Sequence, residues 1–181
     1  DLDDDLRHAL GVAVLAGQVD DALLAALGIE VGAAGLAARV PLVDLTAAGA
    51  ARPHALWRDV LDQILDRRTR DRDVRAIAAR LSDAGAHDEV LDLLAGHGLW
   101  DDAAAAVLTA LRGGDALVGR DQAARWVRCF PADQRDRPEV LVLRGLVARL
   151  DPNKRLGPTG RADGWFREDD RAGAEPGDEP D

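Results

Sequence analysis

The sequence of 181 residues contains no methionine, no tyrosine, two phenylalanines and one cysteine, and aromatic residues make up 3% of it. The single cysteine, Cys129, excludes an internal disulfide framework and a cysteine-rich zinc site. The scarcity of aromatic residues argues against a β-sandwich or barrel, since both draw on aromatic and β-branched side chains. Because a complete translated protein normally begins with methionine, we expect the sequence to be an internal piece of a longer protein.

Long apolar runs and basic clusters are also missing. No stretch approaches the roughly 18 consecutive apolar residues of a membrane-spanning helix, and the start has no signal-peptide pattern. The net charge is −10 and the pI about 4.8, whereas nucleic-acid-binding modules cluster lysine and arginine. We therefore expect a cytoplasmic protein that makes no direct contact with nucleic acid or with a membrane.

Motifs that carry catalytic chemistry are absent from the sequence. It has no phosphate-binding glycine loop, and its only lysine is Lys154. It has no H-E-x-x-H, C-x-x-C or G-x-S-x-G pattern. The only serine, Ser82, falls at a predicted helix turn, and His87 and His97 flank one predicted helix, which makes them poor joint metal ligands. These absences predict no catalytic residue, no bound metal and no enzyme activity.

Helix-forming residues dominate what is present. The chain has 34 alanines and 26 leucines, the strongest helix formers, so we predict a mainly α fold. Three helices are predicted in the first 39 residues, the first two opened by the Asp3–Asp5 run and by Asp20. Residues 40–45 include β-branched valines, an alternation of apolar and polar side chains and one proline, which is typical of an edge strand. We predict that residues 50–53 form the strand that pairs with it.

A helix is predicted to follow the hairpin, beginning at His54. Its predicted buried face is Leu56, Trp57, Val60, Leu61, Ile64 and Leu65. Helices, a short hairpin and another helix together predict a winged-helix-like domain over residues 1–69.

Residues 70–150 predict paired helices. Gly85 and Gly119 stand 34 residues apart, the tetratricopeptide period, and each such glycine is predicted to end one helix while a following aspartate caps the next. We predict tetratricopeptide-like helical hairpins; simple antiparallel helix hairpins are the open alternative. Trp57, Trp100, Trp126 and Cys129 are predicted core residues. Residues 151–181 are rich in glycine, proline and acid, which predicts a disordered tail or linker.

Several segments in a fixed order resemble one protein family. His54-Ala55-Leu56-Trp57-Arg58-Asp59-Val60-Leu61 is similar to the His-x-Leu-x-Arg-x-x-Leu helix in the winged helix of MalT-like, LuxR-type signal-transduction ATPases. Residues 98–104, Gly-Leu-Trp-Asp-Asp-Ala-Ala, follow downstream. Residues 125–132, Arg-Trp-Val-Arg-Cys-Phe-Pro-Ala, with Arg137-Pro138 and Leu141-Val142-Leu143, resemble the run that opens the helical-repeat sensor of that family.

The resemblance implies a regulatory module within a longer transcriptional regulator. An ATPase domain that binds ATP or ADP would precede this chain, a helix-turn-helix DNA-binding domain would follow it, and a small-molecule or protein inducer would bind the repeats. The chain itself would hold no cofactor. A stand-alone tetratricopeptide-like scaffold for protein–protein interaction is the alternative.

The resemblance also assigns one site residue, His54. In related switches a Met-His-Asp motif places its histidine near the nucleotide phosphates. Here the tripeptide is Pro53-His54-Ala55, so only the histidine matches. The resemblance implies that His54 senses the nucleotide through a hydrogen bond to a phosphate; a packing histidine at a helix start is the alternative.

Overall fold

A computed structural model describes residues 2–113 and 118–150 of the chain. Over these residues the protein is mainly α-helical and contains one short two-stranded antiparallel hairpin, as the composition predicts. The predicted tail over residues 151–181 lies outside the described residues. Residues 1–150 group as one structural unit, and the division into domains after residue 69 stays a prediction.

The N-terminal part, residues 2–66, holds four helices and the hairpin. Its elements are α1 (Asp4–Ala16), α2 (Asp21–Ala26), α3 (Ala33–Arg39), β1 (Val43–Leu45), β2 (Ala51–Pro53), a 3-10 segment (Ala55–Val60) and α4 (Leu61–Ile64). The carboxylates of Asp3 and Asp20 cap α1 and α2, each accepting a backbone N–H at 2.7 Å, from Leu6 and Leu23. These caps explain why the acidic residues begin the two helices.

The hairpin pairs Val43 with Pro53 and Leu45 with Ala51. A third extended residue joins it, because Val19, between α1 and α2, exchanges two backbone hydrogen bonds with Ala51 at 2.7 and 2.9 Å. A helix, an extended residue, two helices and a hairpin follow one another in the order of a winged-helix unit. The predicted combination of helices with a short hairpin is confirmed, and the winged-helix assignment stays a prediction.

The helix predicted after His54 is wrong in form and in burial. Residues 55–60 form the 3-10 segment, α4 is only four residues long, and neither has a fully buried residue. Leu56 is 58% exposed, and of the six residues predicted to be buried only Leu65 is. Trp57, Leu61 and Ile64 are partly buried and pack against the core, so the predicted face contacts the core without being enclosed by it.

The paired helices occupy residues 67–113 and 118–150. They are α5 (Arg67–Asp83), α6 (His87–Gly96), α7 (Trp100–Gly113), α8 (Arg120–Cys129) and α9 (Pro138–Arg149). Helix α6 packs on α7 and α8 packs on α9, while α6 also contacts α8 and α7 contacts α9. Gly85 and Gly119 both precede a helix, but Gly119 is the N-cap of α8, whereas Gly85 lies one residue before the N-cap of α6 and has a positive φ of 73°. The tetratricopeptide assignment itself stays a prediction.

The predicted aspartate caps are wrong in the paired helices. Ala86 and Gly119 occupy the cap positions of α6 and α8, and neither helix has a side-chain cap. The aspartates lie inside the first turn instead, where Asp88 contacts a different helix. The three tryptophans also differ, since Trp126 is 1% exposed whereas Trp57 and Trp100 are half-buried.

Packing of α1 on Leu65 and on α5 holds the N-terminal part against the paired helices. A Cβ added to Gly11 would lie 2.5 Å from the side chain of Leu65, so the glycine permits close packing of α1 on the chain that leads into α5. One turn earlier, the His8 ring of α1 bonds the Asp73 carboxylate of α5 at 2.8 Å. Both contacts help α5 to pack on α1.

Candidate functional site

Leu42, His54 and Leu56 form a surface that we call the hairpin-base patch. The His54 backbone N–H donates to the Leu42 carbonyl at 2.8 Å, and the Leu56 backbone N–H donates to His54 Nδ1 at 3.3 Å. Leu42 is 56% exposed and His54 is also exposed. Two large apolar side chains and one imidazole therefore face solvent at the open end of the hairpin.

Leu42 has an unusual backbone conformation. Its φ of 59° lies in the left-handed region, and among the described residues it is the one non-glycine residue with positive φ. That conformation costs an L-residue with a side chain roughly 1–2 kcal/mol relative to the right-handed region. This turn directs the apolar side chain of Leu42 outward. A glycine would adopt the same backbone conformation at a lower conformational free energy.

The local hydrogen bond fixes which ring nitrogen of His54 is available. Because Nδ1 accepts from the Leu56 N–H, it carries no proton in this geometry, and Nε2 of the neutral ring carries one. Nε2–H is thus the donor that a phosphate oxygen or a carbonyl could meet. The nucleotide-sensing role of His54 stays a prediction, and the structure places the residue at the start of the 3-10 segment.

A cleft of about 760 Å³ lies between the N-terminal part and the paired helices. Its walls come from the end of α1, the start of α2, the 3-10 segment, α4, α5 and α6. Aliphatic side chains such as Leu23, Leu61, Ile77 and Leu93 cover most of it. No signal in the linear sequence marks this cleft, because its walls come together only when α5 packs on α1.

Charged side chains of both signs stand around the cleft. Arg80 of α5 and Asp20 at the start of α2 form an ion pair at 3.6 Å. Arg58 and Glu89 also line the cleft. Burial lowers the pKa of His97, and the positive charge of Arg70 lowers it further, so that ring is neutral at neutral pH.

A polar cluster ties α6 to α8. Asp88 Oδ1 accepts from Trp126 Nε1 at 2.6 Å and from Gln122 Nε2 at 3.2 Å, while its Oδ2 accepts from Arg125 at 3.1 Å. Burial alone would raise the pKa of Asp88, but the bonds from Trp126 and Gln122 and the Arg125 charge outweigh it and lower the pKa. The carboxylate is therefore a structural acceptor that stays ionised.

Cys129 lies at the edge of the same cluster. It is half-buried, and its Sγ lies 3.7 Å from an Asp92 carboxylate oxygen that faces it. Burial raises the pKa of the thiol, and the negative charge of Asp92 raises it further. A protonated thiol is a weak nucleophile, which fits the packing role predicted for this residue.

Asp73 is the buried charged residue that sequence reasoning missed. Its side chain is 0% exposed, and it bonds His8 Nε2 at 2.8 Å and Arg72 at 2.9 Å. Asp73 and Ile77 are four residues apart on α5, so they share one helix face. That spacing next to the apolar stripe was the available signal for its burial.

The described residues hold no group of three or more histidine, cysteine or acidic side chains that could bind a metal ion. None of the helices over those residues has the length and apolarity needed to cross a membrane. Comparison with sequence profiles of protein families, with curated proteins and with solved structures finds no match to this chain.

Proposed function

We propose that this chain is a regulatory module of a MalT-like, LuxR-type transcriptional regulator. It would couple the nucleotide state of a neighbouring ATPase domain to the binding of an inducer or partner on the helical repeats. The observation that carries the proposal is the hairpin-base patch, which leaves His54 and two large apolar side chains exposed beside a strained backbone turn. Exposed apolar side chains around a polar donor are features of interaction surfaces.

The geometry of the patch suits a neighbouring ATPase domain. Leu42 and Leu56 would lose their water contact against that domain, and Nε2–H of His54 would donate to a phosphate oxygen of bound ADP or ATP. A donor to phosphate changes its partner when the nucleotide changes, so it can bias a two-state switch. In this proposal the chain itself performs no catalytic step and does not touch DNA.

The first test is the coding sequence on both sides of residues 1–181. The proposal expects an in-frame phosphate-binding loop before Asp1 and a helix-turn-helix segment after Asp181. A start codon immediately before Asp1 together with a stop codon after Asp181 would contradict it.

The second test replaces His54 in that longer protein. His54→Ala should weaken ADP binding and change basal transcription, whereas His87→Ala, on α6 and outside the patch, should leave both unchanged. Leu42→Asn, which favours the same backbone conformation but removes the apolar contact, should weaken domain association. Equal ADP affinity and transcription in the His54→Ala protein and its parent would remove the sensing role.

The last helix favours an alternative function. Leu141 and Val142 of α9 are 48% and 53% exposed, although Val140 and Leu143 of the same helix are fully buried. As the alternative, we propose a stand-alone scaffold that binds another protein through this exposed apolar face. The coding-sequence test separates this reading from the regulator.

A further inference from the structure

The cleft between the N-terminal part and the paired helices has the volume of a small-ligand site. Its size, about 760 Å³, falls within the range of roughly 300–1,000 Å³ typical of such sites. The lining contains leucine, isoleucine, valine and alanine but no phenylalanine, tyrosine or tryptophan, and its one aromatic ring is the imidazole of His97. Aliphatic groups of a ligand therefore fit these walls, whereas a planar ring would find no phenylalanine, tyrosine or tryptophan face on which to stack.

Some charged side chains of the cleft form ion pairs within the protein and others do not. Asp20 and Arg80 pair with each other, and the Asp92 carboxylate pairs with Arg125. Within the described residues, Arg58 and Glu89 have neither an ion pair nor a hydrogen bond from their side chains. One unpartnered cation and one unpartnered anion thus remain, the first on the N-terminal part and the second on α6.

Helix ends of both kinds stand around the cleft: the N-terminal ends of α2 and α6 contribute Asp20 and Glu89, and three C-terminal ends also line it. Gly17, Ala84 and His97 are the C-cap residues of α1, α5 and α6, and all three line the cleft. The C-terminal end of a helix carries partial negative charge on its last carbonyl groups. An ammonium group is favoured beside such ends, and it offers three donors to carbonyl and carboxylate oxygens.

We propose that this cleft binds a short peptide of aliphatic residues with free termini, whose carboxylate pairs with Arg58 and whose ammonium group pairs with Glu89. The aliphatic side chains lie against the leucine and isoleucine walls. Because Arg58 and Glu89 come from different parts of the molecule, one bound peptide holds the two parts together. The inference rests on the proposed function, to which it adds the chemical class of an effector.

The test is calorimetric titration of the full 181-residue chain with the tripeptide Leu-Val-Leu. The free peptide should bind saturably, and both its C-terminal amide and its N-acetyl form should bind at least about tenfold more weakly, since each loses one charge-assisted contact. Arg58→Gln should weaken binding of the free peptide by a similar factor, and this variant should bind the free peptide and its C-terminal amide equally well. Glu89→Gln should likewise abolish discrimination against the acetylated peptide.

Matched variants outside the cleft complete the experiment. Arg112→Gln and Glu30→Gln remove one charge of each sign from exposed positions and should leave the affinity unchanged. Leu93→Trp fills the cleft without touching either charge and should abolish binding, with thermal unfolding used to confirm that each variant is folded. Absence of saturable binding, equal affinity for blocked and free peptides, or equal effects of Arg58→Gln and Arg112→Gln would each overturn the inference.

These outcomes are separable from those of the proposed function. None of the cleft variants changes Leu42, His54 or Leu56. If the chain does not bind peptide but His54→Ala still alters nucleotide affinity in the longer protein, only the cleft site is disproved. If the chain binds peptide but His54→Ala has no effect on nucleotide affinity, the cleft site stands and the nucleotide switch is disproved.

Discussion

Aspartates near helix starts have different hydrogen-bond partners in the two parts of the molecule. In the N-terminal part, Asp3 and Asp20 sit immediately before α1 and α2 and accept N–H groups of the helices they begin. In the paired helices, Asp88 sits one residue inside α6 and accepts from Trp126 of α8. Asp3 and Asp20 also pair with Arg39 and Arg80, but only the cap position directs a carboxylate at the first turn of its own helix.

Tryptophan shows the same contrast. Trp126 is buried between helices and its indole N–H donates to Asp88, whereas Trp57 is half-buried and donates to the carbonyl of Pro41 at 3.0 Å. The first joins two helices and the second only fastens a loop to the hairpin. Of these two residues, the one in the paired helices joins separate helices and the one in the N-terminal part fastens a nearby loop.

The strongest test of this contrast compares the two tryptophans. Trp126→Ala should lower the free energy of unfolding by about 3–5 kcal/mol, because it leaves a large cavity and removes a donor to Asp88. Trp57→Ala should cost less than half as much, since its ring is already partly hydrated. Urea unfolding of both variants measures the difference, and equal losses would contradict the division drawn between the two parts.

The next largest effect concerns the join between α1 and α5. His8→Ala should cost about 2–3 kcal/mol, because the fully buried Asp73 loses a hydrogen-bond partner that water cannot readily replace. Arg7→Ala, which breaks an exposed pair with Asp4 on the same helix, should cost no more than about 1 kcal/mol. Chemical denaturation compares the two, and a cost for His8→Ala as small as for Arg7→Ala would mean that Asp73 is hydrated.

Asp88→Ala should cost about 1–2 kcal/mol at neutral pH, because Trp126, Gln122 and Arg125 lose their shared acceptor. The pKa of Asp88 is lowered in the folded chain, so the stabilisation is complete above its ordinary pKa of 3.8 and is lost as the pH falls through the lowered value. The stability difference between parent and variant should shrink in acid. Urea unfolding of parent and variant at neutral and at acid pH measures this difference.

The smallest effect is that of a local cap. Asp20→Ala should cost about 1 kcal/mol, the usual cost of losing an N-cap carboxylate. Asp121→Ala, in the first turn of α8 but not at its cap, should change stability by less than about 0.5 kcal/mol. Thermal unfolding of the two variants measures this difference, and a larger loss for Asp121 would show that position within the first turn does not decide the role of an aspartate.

Sequence patterns predicted the elements that local chemistry controls. The acidic starts of α1 and α2 and the end of α5 before Gly85 occur as expected. Such features depend on neighbours within about one helix turn, so residue type and spacing suffice. The same reasoning failed after His54, where burial depends on what packs against the segment rather than on its own spacing.

The sequence by itself determined a mainly helical chain with a short hairpin, because helix propensity, caps and turn residues act over a few neighbours. Only the tertiary structure decided that Asp73 is buried against His8, that Asp88 serves α8 instead of its own helix, and that a cleft with Arg58 and Glu89 on different sides opens between the two parts. Each of these features joins residues more than 25 positions apart. Long-range packing sets such pairs, and no periodicity along the chain encodes them.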